Sequence, residues 1–154
     1  MKYSSYLSLV KEWKTCEKCP LGKTAYKHVM GRGRLDADFL FIGEGPGRTE
    51  DLEGIPFVGQ VGQLLEEALK QAYPEFLKRS FFANLVACRP CDSLRGPNRA
   101  PTAVEVKTCS PRLEKILEII KPKAVILLGK TPQLLFKSGG TAEIFNFYHP
   151  SYIL

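Results

Sequence analysis

The stretch DFLFIGEGPGRTEDLEGIPFVGQVG, residues 38–62, joins a short apolar run to a long glycine-rich loop. The run at 38–42 has the consecutive apolar residues typical of a strand that is buried on both faces. The loop lacks the G-x-x-x-x-G-K-[ST] pattern of a phosphate-binding loop and the wider glycine spacing of a dinucleotide site. Its glycines instead let the backbone approach a flat ligand closely, and Glu44, Glu50 and Asp51 place acid beside it.

Strands and helices alternate on both sides of this stretch. Further strands are predicted at 80–86, 124–128 and 144–147. Helices are predicted at about 4–13, 60–73, 102–120 and 132–137, and Thr102 with Glu105 forms a capping box at the start of the third. The alternation predicts an α/β fold, a three-layer sandwich around a short, about four-stranded, mainly parallel sheet, in one domain over residues 1–154.

Polar residues fall where these strands end. In open α/β sheets, ligands bind outside the carboxyl ends of the strands. The loop from Gly43, together with Asn84 and His149, lies at or just past such ends. The pattern therefore predicts one binding site formed by these three segments.

Composition narrows the classes of partner. The chain has 22 Lys and Arg against 16 Asp and Glu, a net charge of +6 that favours polyanions such as nucleic acid. On charge alone, a basic protein with no nucleic-acid partner is equally expected. No apolar run reaches the roughly 18 residues of a membrane span, and Lys11, Glu12 and Lys14 interrupt the N-terminal segment where a secretory signal would be apolar. We therefore expect a cytoplasmic protein with no membrane span.

Five cysteines in a chain with no export signal point to metal binding or free thiols rather than disulfides. Cys16 and Cys19 form a C-x-x-C motif whose spacing suits two thiolates on one metal. Cys88 and Cys109 bracket a proline-rich loop and could supply two more ligands. Four thiolates suit Zn²⁺ and a [4Fe–4S] cluster equally well. Cys109 alone could instead be a small buried hydrophobe on its helix.

Together, the motifs resemble those of the family 4 uracil-DNA glycosylases, the iron–sulfur-containing class of bacteria and archaea. The matches occur in the family order and cover nearly the whole chain. They are CEKCPL at 16–21, GRG at 31–33, GEGPGRTED at 43–51, GIPFVGQVG at 54–62, NLVACRP at 84–90, NRAPT at 98–102, Cys109, PKAVILLG at 122–129 and HPSYIL at 149–154.

The resemblance implies a uracil-DNA glycosylase-like fold and hydrolysis of the N-glycosidic bond of flipped-out uracil in DNA, the first step of base-excision repair. It implies that Glu44, Gly45 and Pro46 form one wall of a uracil pocket. The DNA could be single- or double-stranded, and we expect the protein to act as a monomer.

The remaining pocket residues follow from the same resemblance. Phe57 would stack on the base, Asn84 would read its polar edge, and His149 would face the uracil oxygen that gains charge. A carboxylate near the sugar would stabilise its positive charge or position water, and Glu44 and Glu50 are both candidates.

The resemblance also implies that Cys16, Cys19, Cys88 and Cys109 hold a structural [4Fe–4S] cluster, with zinc as the alternative. Cys91 is then the odd thiol, since it stands where the family commonly has a proline. Basic residues in the loops that flank the motifs are expected to contact DNA phosphates. They are Arg32, Arg34, Arg48, Arg89, Arg95 and Arg99.

The chain departs from the family pattern in three places. The loop around 91–96 is longer than usual, the stretch 129–149 is shorter, and the chain stops at Leu154 where relatives continue through a DNA-wedging loop and a final helix. Tyr152, Ile153 and Leu154 would begin that wedge. The early stop leaves open a second hypothesis, a glycosylase-like module that binds DNA or uracil without cutting. A third is a zinc-stabilised α/β domain with an unrelated small-molecule substrate.

Overall fold

The computed structural model describes residues 1–137 and 140–153, and for Ile153 the backbone only. Leu154 and the Ile153 side chain, which we assigned to a DNA wedge, lie outside the described residues. The helices are α1 Lys2–Trp13, α2 Leu21–Thr24, α3 Arg48–Glu53, α4 Gln60–Ala72, α5 Glu75–Lys78, α6 Ala103–Ile120 and α7 Lys130–Leu135. The strands are β1 Arg32–Gly33, β2 Phe39–Gly43, β3 Ser80–Asn84, β4 Ala124–Leu128 and β5 Glu143–Phe147, and a 3₁₀ turn follows at Pro150–Ile153.

The strands form a single sheet in the order β1-β3-β2-β4-β5. Strands β2 to β5 run parallel, as the alternation of strands and helices predicts, and only β1 pairs antiparallel, with β3. The sheet therefore has one strand more than expected. β1 was missed because a two-residue strand of Arg32 and Gly33 carries no apolar pattern.

Successive residues of the central strands face opposite sides of the sheet, and each side is covered by helices. Leu40 and Ile42 of β2 pack into a core with α1 and α6, whereas Phe41 between them packs into a second core with Leu65 of α4. Apolar burial on both faces is what drives such strands into the middle layer. The predicted three-layer α/β fold is confirmed.

The capping box begins α6 as its sequence predicts. The Thr102 hydroxyl accepts from the Glu105 backbone N–H at 3.2 Å, and the Glu105 carboxylate accepts from the Thr102 N–H at 2.9 Å. Arg99 binds the same carboxylate with two nitrogens at 2.8 and 3.0 Å. That guanidinium is the main reason why the pKa of Glu105 lies below its usual range. The box fixes the start of the helix that carries Cys109.

We expected all the apolar strands to be buried on both faces, and this expectation is wrong for β5. All five of its residues are exposed, including Ile144, Phe145 and Phe147. The reason is position, because β5 lies at the edge of the sheet and pairs on one side only, with β4. No helix in the described residues is long and apolar enough to cross a membrane.

Candidate active site

One open cavity of about 620 Å³ lies at the carboxyl ends of the parallel strands. Its volume is within the ~300–1,000 Å³ usual for small-molecule sites. The structure brings all seven predicted pocket residues to its wall: Glu44, Gly45, Pro46, Glu50, Phe57, Asn84 and His149. The rule that places ligands at these strand ends thus selects one cavity from segments far apart in the sequence.

Asn84 forms the floor of the cavity at the end of β3. It is buried, and it pairs in register with Gly43 of β2. A Cβ on Gly43 would lie 2.6 Å from the Asn84 Oδ1 and 2.6 Å from the Phe57 Cζ. Glycine at this position therefore lets the amide and the aromatic ring reach the same small space. The amide offers one acceptor and two donors in one plane, which suits the edge of a base.

Phe57 is held in an unusual backbone conformation. Its φ of 57° lies in the left-handed region, which costs a non-glycine residue on the order of 1–3 kcal/mol. Arg32 stabilises this conformation from its Nε to the Pro56 carbonyl at 2.8 Å and from its Nη2 to the Phe57 carbonyl at 3.1 Å. Gly62 leaves room behind it, because a Cβ there would lie 2.1 Å from the Phe57 carbonyl carbon. The ring of Phe57 is thus positioned by Arg32, which we had expected at a phosphate.

His149 follows β5 directly and is half-buried in the cavity wall. Its Nδ1 lies 3.2 Å from the backbone N of Ser151, and a backbone N–H can only donate. Nδ1 is therefore an acceptor, and the neutral ring carries its proton on Nε2. Burial lowers the pKa of His149 below its usual value, and the negative charge of Glu44 opposes this shift only in part. A neutral imidazole with an Nε2–H donor is the form expected at neutral pH.

The two candidate carboxylates have different surroundings. The Glu50 Oε1 accepts from the Gly59 backbone N–H at 3.1 Å, and Oε2 lies 2.9 Å from where a Cβ on Gly47 would stand. Glu50 therefore joins the two ends of the glycine-rich loop at the start of α4, a structural contact. Glu44 lines the cavity and its charge acts on His149. These contacts favour Glu44 as the carboxylate that faces substrate.

Most of the arginines expected at phosphates have partners within the protein. Arg34 pairs with Asp36 at 2.8 Å, and Arg99 binds both Asp92 and Glu105. Arg89 is buried, and it donates to the Asn98 Oδ1 at 2.6 Å and to the carbonyls of residues 94 and 96.

Two of the six arginines, Arg48 and Arg95, are exposed without a carboxylate partner among the described residues. Arg48 lines the cavity and makes a long hydrogen bond of 3.2 Å to the Gly96 carbonyl, in the loop that carries Arg95. Among the six, these two therefore remain the candidates for the predicted contacts with phosphates.

The four predicted metal ligands, Cys16, Cys19, Cys88 and Cys109, line a second, narrow and apolar cavity. It lies between the segment after α1, the segment after β3, and α6. Cys91 is buried elsewhere and does not line this cavity. Within residues 1–137 and 140–153, no three Cys, His, Asp or Glu side chains have the arrangement that holds a single metal ion.

Burial raises the pKa of two of these thiols, Cys88 and Cys19. Burial is the largest of the effects that together raise the pKa of Cys88 to about 12, and the charges of Cys109, Cys19 and Cys16 also contribute. Burial likewise raises the pKa of Cys19. Thiolate is the form that binds metal, so binding must displace these protons and depends on the positive charge of the group that replaces them.

Two buried charged residues have contacts that the sequence did not predict, and Asp51, which we expected to place acid beside the ligand, does not line the large cavity. Asp51 accepts from the Tyr26 backbone N–H at 2.9 Å and so ties the glycine-rich loop to the segment after α2. Arg112 is fully buried and contacts Cys109. The sequence carried one signal for Arg112, since a cation three residues after Cys109 interrupts the apolar stripe of its helix. Asp51 carried none, because its partners are backbone groups.

Comparison with known proteins agrees with the motifs. The family model described as the uracil DNA glycosylase superfamily matches residues 30–154. The type-4 uracil-DNA glycosylase of Thermotoga maritima is 35% identical over 159 residues, covering 92% of this chain and 79% of the relative. That of Archaeoglobus fulgidus is 41% identical, covering 95% of this chain and 81% of the relative. That of Saccharolobus solfataricus is 40% identical, covering 82% of this chain and 56% of the relative.

These matches confirm the resemblance inferred from the ordered motifs. The first two alignments cover more than nine tenths of the chain. The chain belongs to the uracil DNA glycosylase superfamily, with type-4 uracil-DNA glycosylases as its relatives.

Proposed function

We propose that this protein hydrolyses the N-glycosidic bond between uracil and deoxyribose in DNA, the first step of base-excision repair. The observation that carries the proposal is the convergence of Phe57, Asn84 and His149 in one cavity at the strand ends. A stacking ring, an edge-reading amide and a hydrogen-bond donor are the groups that excision of a base requires. The type-4 relatives, named uracil-DNA glycosylases, support the same activity.

Recognition of uracil rests on Phe57 and Asn84. A base cannot be cut from its sugar within the stack, so the nucleotide is flipped into the cavity, where Phe57 stacks on it. The Asn84 side chain then accepts from N3–H and donates to O4 of uracil. Cytosine presents the opposite pattern of donor and acceptor, which would leave the buried amide unpaired. Sites of this kind reject the wrong base strongly.

His149 and Glu44 serve the bond-breaking step. The bond between N1 and C1′ breaks, uracil leaves with the electron pair, a water oxygen forms the new bond to C1′, and the proton lost by that water neutralises the uracil anion. The Nε2–H of His149 donates to uracil O2, where negative charge develops. Glu44 stabilises the positive charge on the sugar or orients the attacking water. The loss of one such preorganised donor typically costs about 10²–10³ in rate.

The proposal includes a [4Fe–4S] cluster held by Cys16, Cys19, Cys88 and Cys109. Four thiols around one cavity, without the arrangement of a single-ion site among the described residues, favour a cluster whose ligands bind separate irons over one zinc. When bound, the cluster supplies a cross-link between the N-terminal segment, the segment after β3 and α6. Its role is structural, and the reaction needs no electron transfer.

DNA is proposed to reach the cavity along the loops that carry Arg48 and Arg95. Both side chains are exposed, and Arg48 lines the cavity, which places a cation where the phosphates beside a flipped nucleotide would lie. Phosphate contacts of this kind position DNA without reading its sequence. They serve single- and double-stranded substrates alike.

The test is uracil release from oligonucleotides with one uracil, single-stranded and in a U·G pair, across a range of salt concentrations. Wild-type protein is compared with Asn84→Ala and His149→Ala, and with Asn146→Ala as a control on the exposed strand β5. We expect release by the wild type and the control, and a fall of about 10²–10³ for His149→Ala. Binding of uracil-containing DNA with no release under any condition would instead support a non-cutting module.

A further inference from the structure

Arg112 of α6 is a fully buried arginine, with no part of its surface exposed. Its described hydrogen bonds go to three backbone carbonyls and one sulfur, and none goes to a carboxylate. Arginine stays charged in proteins, and a buried charge is costly unless an opposite charge compensates it. The position of Arg112 therefore raises the question of which anion balances it.

The cysteine-lined cavity can supply this anion. The Arg112 Nε donates to the Cys109 Sγ at 3.4 Å, a normal distance for a sulfur acceptor. Cys109 shares its cavity with Cys16, Cys19 and Cys88. Four thiolates carry more negative charge than the core of a [4Fe–4S] cluster carries positive charge, so the loaded site is an anion. A buried guanidinium is a suitable counter-ion for it.

The other edge of the same guanidinium reaches the uracil pocket. Its Nη2 donates to the Asn84 carbonyl at 2.5 Å and to the Leu85 carbonyl at 3.2 Å, while Nη1 donates to the Met30 carbonyl at 3.3 Å. The Asn84 carbonyl belongs to the residue whose side chain forms the floor of the large cavity. One rigid, planar group thus connects a cysteine ligand with the backbone of the proposed base-reading residue.

We propose that Arg112 is a positioning residue that couples the cysteine site to the uracil pocket. It neutralises the thiolate-bound cluster through Cys109 and fixes the end of β3 at Asn84. The inference rests on the cluster proposed above. It adds an effect of the cluster site on the uracil pocket, which a cluster that only cross-links its own segments would not have. Outer partners of metal ligands typically change metal affinity or activity by about 10–100-fold.

The first test compares iron retention in Arg112→Met with Arg34→Met, a matched loss of an exposed arginine outside both cavities. Iron release to a chelator is followed by the decay of visible absorption. We expect release about 10-fold faster for Arg112→Met and unchanged for Arg34→Met. We also expect a more negative reduction potential for the cluster in Arg112→Met, because the lost cation stabilised the more negative reduced state.

The second test separates charge from geometry with Arg112→Lys. Lysine keeps the positive charge but loses the planar fork of five donors. Iron retention should return most of the way to the wild-type rate. When both variants are fully loaded with iron, their kcat/KM for uracil release should remain below that of the wild type, because the Asn84 carbonyl is no longer held. If Arg112→Met does not fold, the opposite responses of Arg112→Lys in iron retention and uracil release carry the test.

The outcomes distinguish the two proposals. Wild-type protein that takes up no iron under anaerobic reconstitution overturns the proposed cluster and this inference with it. Wild-type protein that holds iron, beside Arg112 variants with unchanged iron release, potential and kcat/KM, overturns the coupling role alone.

Discussion

Replacing Arg32 by methionine is expected to disable uracil excision without weakening phosphate contacts. Arg32 donates to the Pro56 carbonyl at 2.8 Å and to the Phe57 carbonyl at 3.1 Å, and its guanidinium lies 4.7 Å from the centre of the Phe82 ring. These contacts hold the left-handed conformation that aims the Phe57 ring into the cavity. Methionine keeps similar bulk over the Phe82 ring but donates no hydrogen bond.

The magnitude follows from the two hydrogen bonds. Hydrogen bonds from a charged donor contribute about 1.5–3 kcal/mol each, but these carbonyls are only partly buried and water can replace part of the loss. The contact of Arg32 with Glu66, at 3.4 Å between half-exposed side chains, adds little. The productive conformation would therefore lose about 1.5–3 kcal/mol of stabilisation, which corresponds to a fall in kcat/KM of roughly 10–100-fold.

The assay measures uracil release from a single-stranded oligonucleotide at several salt concentrations. Arg34→Met is the matched control, because Arg34 is two residues away and exposed and pairs only with Asp36 among the described side chains. We expect kcat/KM of the control within about twofold of wild type, since exposed ion pairs contribute little.

The dependence of DNA affinity on salt distinguishes positioning from phosphate binding. Loss of one phosphate contact lowers the slope of log K against log salt by about 1. Arg32→Met should leave that slope unchanged, whereas Arg48→Met should lower it. An unchanged kcat/KM for Arg32→Met, or a lowered slope, would refute the reasoning and restore the phosphate role predicted from the sequence.

Three further results are expected. The pKa of His149, measured by NMR titration, should lie below its usual 6.5. It should fall further in Glu44→Gln, because removal of that negative charge leaves the effect of burial unopposed. A rise would contradict the electrostatic interaction between Glu44 and His149. Activity should accordingly persist as pH falls through 6.5, because His149 stays neutral there. Gly62→Ala, whose Cβ would meet the Phe57 carbonyl at 2.1 Å, should lower kcat/KM by more than tenfold in the release assay. Glu50→Gln should lower Tm along with activity, whereas Glu44→Gln should lower activity with Tm within a degree of wild type.

The sequence predicted the features that depend on local pattern or on general topology. The apolar runs of β2, β3 and β4 and the Thr102–Glu105 box were found because burial and capping require particular residue types at fixed spacing. Convergence at the strand ends followed from the parallel order alone. The ligand set and the role of each pocket residue came from the family resemblance, and those roles remain predictions.

What the sequence could not indicate were contacts between side chains and backbone carbonyls. Arg32 and Arg89 look like surface cations in a loop, yet Arg32 donates to the carbonyls of residues 56 and 57 and Arg89 to those of residues 94 and 96. A carbonyl belongs to every residue, so such partners leave no trace in residue type. The same reasoning explains why Arg32 and Arg89 were assigned to phosphates; Arg34 and Arg99, assigned with them, pair with carboxylates instead.

These internal arginines change the interpretation of the net charge of +6, because they act within the protein. Arg32 holds the backbone of Phe57, Arg112 holds that of Asn84, and Arg89 holds the loop at residues 94–98 that borders the cavity. Each guanidinium uses several donors in one plane to fix a segment at the end of a strand or in a loop, where regular strand hydrogen bonds do not continue. A site that discriminates bases needs its donors and acceptors fixed before the substrate arrives, since reorganisation would lower both rate and selectivity. Part of the positive charge therefore serves to preorganise the pocket, and we expect the electrostatic attraction for DNA to depend on the smaller exposed set that includes Arg48 and Arg95.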